Sequence, residues 1–262
     1  MEENIGLKLL ERTTRRVAPT AEGERFLPIA ERLIRDFDTA ISDLNGAAER
    51  RSGHVNIAAL PSFAAQLMPG IVKCFAAQYP GISVHLTDDN SRGVQRRLLR
   101  NEVDFAIGSR VRSNANLVFK PLVQDRVELV CHRDHPLARG KSDLEWSELQ
   151  NHQVIDSGIH GLMPLEGLLD RPKFEFSTTT TLFAMVRTNI GVTILPTLAT
   201  LDLHADLTTR PLAESLIRRD IFLITRNDWT LSPASEAMIE VLSQEIPRIV
   251  GELAIPHVQC KI

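Results

Sequence analysis

The sequence predicts an α/β protein of two lobes, each built on a doubly wound sheet, with one long amphipathic helix ahead of them. Three observations carry this. From His54 onward short β-rich runs alternate with helical stretches, an order that builds parallel sheets with crossover helices. The alternation restarts after Pro121, which gives two units. Before both, Phe26, Ala30, Leu33, Phe37, Ala40, Leu44 and Ala47 recur at alternating spacings of four and three, a heptad seam outside the α/β pattern.

The chain begins with a basic segment. Lys8, Arg12, Arg15 and Arg16 are opposed between Lys8 and Arg16 by Glu11 alone, and Thr13 and Thr14 add hydroxyls. Guanidinium forks match phosphate oxygens bidentately, and short hydroxyls position a nucleic-acid backbone. A solvated basic turn before a helix is the competing reading. Thr20 then suits an N-cap, with Glu22 and Glu24 in the first turn where the helix dipole favours negative charge. The seam predicts a helix–helix partner, and Arg50–Gly53 ends the helix.

In the α/β part, His54–Leu60, Ile82–Leu86 and Phe105–Gly108 read as strands. Pro61–Ser62, Pro69 and Ser91 open helices between them. The second unit has strands at Val127–Cys131, Val154–Ile155 and Gly191–Pro196, with helices at Leu144–Leu149 and Thr178–Arg187. Ile221–Ile224 returns to the first lobe, and Ser232–Ile246 is a helix packed there. Two crossing strands leave a cleft at the carboxyl ends of strands, where open α/β sheets bind ligands.

Composition excludes several classes. The chain has 262 residues, 43% hydrophobic and 24% charged, with net charge −3 and pI near 6.3. Any nucleic-acid contact is therefore local. No window is apolar for long enough to span a bilayer, so no membrane partner is expected. Cys74, Cys131 and Cys260 lack CxxC spacing and read as free thiols in a reducing cytoplasm. His132-x-x-His135 lacks a third ligand at suitable spacing, so no metal is expected. Asp156-Ser157-Gly158 with His160 lacks the nucleophile elbow of a hydrolase, and no phosphate-cradling glycine loop occurs. Neither an enzymatic activity nor a cofactor is expected.

The run Leu9-Leu10-Glu11-Arg12-Thr13-Thr14-Arg15-Arg16-Val17, then Thr20-Ala21-Glu22-Gly23, resembles the wing and linker-helix start of LysR-type transcriptional regulators. Later segments are similar too: Met68-Pro69, Tyr79-Pro80-Gly81, Leu98–Gly108, His135-Pro136-Leu137-Ala138 and Gly191–Pro196. Leu10, Pro19 and Asn101 depart from the usual Phe, Leu and Gly, and Ser157–Lys173 is short for the family. Glu2–Gly6 looks like the tail of a recognition helix, so most of a helix-turn-helix is expected to be absent.

The resemblance implies four parts: residues 1–20 as a partial winged helix-turn-helix, 21–52 as the linker and dimerisation helix, 54–125 with 223–250 as effector-binding lobe I, and 126–222 as lobe II, the lobes being Rossmann-like and of the periplasmic-binding-protein type. It implies DNA contacts at Arg12, Thr13, Arg15 and Arg16, and a dimer seam at Phe26, Ala30, Leu33, Phe37, Ala40 and Leu44. It places a small, anionic effector against Ser62, Ser91, Asp156, Ser157, Thr178 and Thr179. Hydroxyls and free N–H groups at helix starts suit a carboxylate, while simple N-capping is the competing role for Ser62, Ser91 and Thr178. The expected protein is a cytoplasmic homodimeric or homotetrameric DNA-binding regulator. A truncated effector-binding module or dominant-negative dimer partner, without sequence-specific DNA binding, is the alternative. A periplasmic-type solute-binding protein shares the architecture.

Overall fold

The computed structural model describes residues 2–13, 16–46, 52–111, 115–140, 143–157, 173–213, 218–253 and 257–262. A short helix, α1 (Glu2–Ile5), leads into the antiparallel hairpin β1 (Leu10–Thr13) and β2 (Arg16–Pro19). The Glu2 carboxylate holds the hairpin by accepting from Leu9 N at 2.6 Å and Leu10 N at 2.9 Å. Helix α2 (Ala21–Gly46) follows. Thr20 caps it as the sequence predicts: its hydroxyl accepts from Gly23 N at 3.0 Å and donates to Lys8 O at 2.7 Å. Pro28 lies inside α2 and removes one backbone donor there.

The α/β body begins with β3 (Gly53–Ala59), α3 (Pro61–Gln66), α4 (Met68–Gln78), β4 (Ile82–Asp88), α5 (Ser91–Leu99) and β5 (Phe105–Gly108). β3 pairs in parallel with β4 and β5, which is the expected doubly wound order. β6 (Leu117–His132) then belongs to two sheets. The sequence suggests a break at Pro121. Instead the strand passes through it with a register shift between Pro121 and Val123, the way a sheet accommodates a residue without an N–H donor.

A 3-10 turn at Pro136–Ala138, α6 (Trp146–Leu149), α7 (Thr179–Arg187), β7 (Thr193–Pro196) and a second 3-10 turn at Thr197–Ala199 come next. β8 (Leu207–Pro211), β9 (Arg218–Arg226), α8 (Pro233–Leu253) and β10 (Gln259–Cys260) complete the chain. The two-lobed α/β class is as expected, but the second lobe is not wholly parallel. β7 and β8 both pair antiparallel with the far half of β6, and Val154 and Asp156 contribute single parallel bridges.

Burial follows this division. One core joins Val55, Ile57, Phe63 and Phe75 with Met238 and Leu242 of α8, while α5 covers the other sheet face through Val94 and Leu98. A second region packs Leu129, Val192 and Ile194, and beside it Ile155, Leu182 and Val186.

Candidate ligand-binding cleft

Strand directions place the two carboxyl edges face to face. β5 runs parallel to β3 and antiparallel to β9, and β9 runs antiparallel to β6. β6 therefore leaves the first sheet in the same direction as β3 and β5, and the second sheet lies beyond their carboxyl ends. β7 returns the opposite way, with Val154 bridged in parallel to Val192 just before it. Asp156 and Ser157 thus end up facing the first lobe, and Glu175, bridged in parallel to Asp156, leads into α7 on the same side.

On the first lobe, Ser62 occupies the second position of α3, after the N-cap Leu60 and Pro61. Leu60 N bonds Ile107 O at 3.0 Å, which ties this turn to the end of β5. Ser109 follows β5 directly. Ser62 is 9% exposed and Ser109 3% exposed, and among the described residues neither hydroxyl has a hydrogen-bond partner. Leaving a buried polar group unpaired costs about 1–3 kcal/mol, and these two lie at adjacent strand ends. Gln95 fixes the second by donating to Ser109 O at 2.8 Å. The sequence reading missed Ser109 and Gln95. The signal for Ser109 was present, a polar residue directly after a buried strand that neighbours the one ending before Ser62.

The other expected residues have distinct positions. Ser91 is buried at the start of α5, but the cap is Asn90, whose Oδ1 accepts from Arg92 N at 3.1 Å and Gly93 N at 2.9 Å. Those amides are therefore already paired. Asp156 is buried, with its backbone bonded to Phe174 and Phe176. The Ser157 hydroxyl donates to Ile194 O at 3.1 Å. Thr178 stands at the N-cap of α7 without capping it, because its hydroxyl donates to Thr181 Oγ1 at 2.9 Å. Thr179 is half-buried beside it. Ser62 and Ser91 thus do not act as N-caps, and Thr178 leaves the first amides of α7 without a side-chain cap.

Away from the cleft, Arg12, Thr13 and Arg16 lie on the β1–β2 hairpin, with side chains outside the described set; Arg15 lies outside it altogether. On α2, Phe26 and Ala30 are half-buried, whereas Leu33 and Phe37 are exposed, together with Leu27, Ile29 and Ile34. The side chains of Ala40 and Leu44 fall outside the described residues. His132 and His135 each use Nδ1 to accept a local amide, from Asp134 at 3.1 Å and Leu137 at 3.2 Å. Among the described residues no group of three or more His, Cys, Asp or Glu side chains is placed to hold a metal ion. His160 lies outside them. No helix among them is long and apolar enough to cross a membrane.

Residues 48–247 match the family described as the LysR substrate binding domain. The chain belongs to the LysR-type transcriptional regulators. The HTH-type transcriptional regulator YbhD of Escherichia coli K12 is 33% identical over 251 residues, covering 92% of this chain and 79% of that protein. Two solved structures share the fold of this LysR-type chain. One is the effector-binding domain of QuiR in complex with shikimate, with TM-score 0.66, 21% identity, and 75% and 98% coverage of this chain and that one. The other is the regulatory domain of CcmR from Synechocystis PCC6803 in complex with 2-PG, with TM-score 0.66, 23% identity, and 74% and 97% coverage. The named relatives are regulators rather than enzymes. The carboxyl-edge cleft of this LysR-type chain lies wholly within the matched residues.

Proposed function

We propose that this regulator binds a small anionic effector between its lobes, and that occupancy alters the geometry of a cytoplasmic dimer or tetramer on DNA. The observation that carries the reading is the pair of buried, unpartnered hydroxyls at Ser62 and Ser109. Both can donate to carboxylate or phosphate oxygens. The α7 start, uncapped by Thr178, adds oriented amides on the facing lobe. QuiR with shikimate and CcmR with 2-PG support the same ligand class, since each ligand carries a carboxylate.

Arg12, Thr13, Arg15 and Arg16 are the proposed DNA contacts, acting on phosphates and so positioning rather than reading sequence. The exposed apolar face of α2 is the proposed subunit seam. The test is thermal-shift screening against small carboxylates and phosphates, shikimate and 2-phosphoglycolate included. A ligand that binds only the folded chain raises its apparent stability. An anionic ligand should shift the parent chain by more than a Ser62→Ala variant at the same concentration; equal shifts in both would remove the site from the proposal.

A further inference from the structure

The segment after β7 does not stay with the lobe that precedes it. Leu198 is fully buried in the first core together with Leu60 and Phe63, and Leu201 packs against the same core. The 3-10 turn Thr197–Ala199 lies directly against α3, the helix that carries Ser62. Its position is held from both sides. Asp125, fully buried on β6, accepts the Leu198 amide at 3.2 Å. The same carboxylate takes the Arg219 guanidinium at 2.9 Å from Nε and 2.6 Å from Nη2. Asp125 and Arg219 are register partners on β6, which serves both sheets, and on β9, which pairs with it in the first. Thr197 Oγ1 is bonded to Arg126 O at 3.2 Å and Glu128 Oε1 at 3.1 Å, and Gln66 at the end of α3 donates to Asp202 Oδ2 at 2.8 Å.

We infer that Thr197–Asp202 is a further tie between the lobes, that Asp125 is its positioning residue, and that the α3 contact is where occupancy at Ser62 is read out. A connection through β6 alone would permit wide hinge closure. A further segment, bonded to a buried carboxylate that already joins β6 to β9, confines the movement to small rotations about Asp125. Withdrawing the turn would leave that carboxylate short of a donor in a dry interior, and this holds the connection discrete rather than graded. The functional meaning rests on the reading of Ser62 as an effector contact; the mechanical connection does not.

Hydrogen exchange on the full chain separates the two. Asp125→Asn should speed exchange in peptides covering 197–202 and 60–67 together, by about tenfold, and leave 82–88 and 207–211 unchanged. A rise confined to 197–202 would overturn the coupling, and a uniform rise across the chain would reduce Asp125 to ordinary stabilisation. Gln66→Ala, a surface change that does not threaten folding, should give the same two-segment pattern at smaller amplitude; no change in either segment would also overturn the inference. Failure of shikimate and 2-phosphoglycolate to protect any peptide would count against the effector reading alone.

Discussion

The rings of His135 and His152 meet at 62°, with 4.9 Å between their centroids. Burial holds the His135 imidazole below its ordinary range, and the neighbouring His152 and His132 lower it further. Protonation therefore disfavours the fold. Above the unfolded value of about 6.5 the ring is neutral in both states and stability is intact. As pH falls beneath that value the unfolded chain binds a proton that the folded chain declines, and stability is lost until the folded ring itself titrates. Urea unfolding at about pH 7.5 and pH 5.5 should show this loss, and His135→Asn, which keeps an acceptor for Leu137 N–H, should reduce it.

Ser62→Ala and Ser109→Ala should each leave the ligand-free protein as stable as the parent or raise it by about 1 kcal/mol, because a buried unpaired hydroxyl is removed. The same changes should weaken binding of an anionic ligand by about tenfold, or about 1.4 kcal/mol. Calorimetric unfolding and titration read the two effects. Loss of both stability and binding would mean that the hydroxyls are structural.

Phe37 is 66% exposed on α2, and Leu33 is 55% exposed one turn before it. If this face is the subunit seam, Phe37→Asp should lower the sedimentation-derived mass without changing the circular dichroism of the α/β body. An unchanged mass would exclude Phe37 from the interface.

A β-carbon at Gly23 would overlap the Leu9 carbonyl oxygen, a backbone atom that cannot step aside. Gly23→Ala should therefore pry the hairpin from α2 at a cost of about 1–3 kcal/mol, the range for overpacking. Limited proteolysis should show new cleavage around residues 14–20, with the midpoint of the main unfolding transition preserved.

Cys131 is fully buried, and burial pushes its thiol up to about 11. Cys74 and Cys260 are part-exposed. Alkylation of the native protein at neutral pH should modify those two and reach Cys131 only after unfolding. Rapid labelling of all three would mean that the second core opens readily.

What the sequence disclosed tracks how local each signal is. Thr20 announced the start of α2 because capping involves neighbours three residues apart. Gly191–Pro196 was legible because a buried strand leaves a short, largely apolar run, here interrupted only by Thr193, whose hydroxyl donates to Ile155 O at 2.9 Å. β8 was not, since Leu207-Thr208-Thr209-Arg210-Pro211 buries an arginine whose partners are the carbonyls of Leu137 and Arg139, at 3.0 and 2.7 Å. Those partners are about seventy residues away along the chain, beyond any periodic pattern. Of β6 only Val127–Cys131 was read, for the opposite reason: Pro121 is a local break signal that a bulge overrides. At the cleft, Ser62 was named through the family resemblance, and its place at the start of α3 follows from Pro61. Ser109 and Gln95 required knowing that β3 and β5 are neighbours.

The cores close at different points along the chain. Every residue of the second pair of clusters lies between Val127 and Leu212. The first core needs Val55 and Phe63 from one end and Met238, Leu242 and Ile246 from the other. On the ribosome, where chains emerge amino end first, the later-numbered lobe can finish while the earlier one is still waiting. Until α8 emerges, β3 and β5 carry an uncovered apolar face. The nascent chain is thus open to aggregation from the completion of β5 until α8 emerges, and that is the interval in which a chaperone would find it.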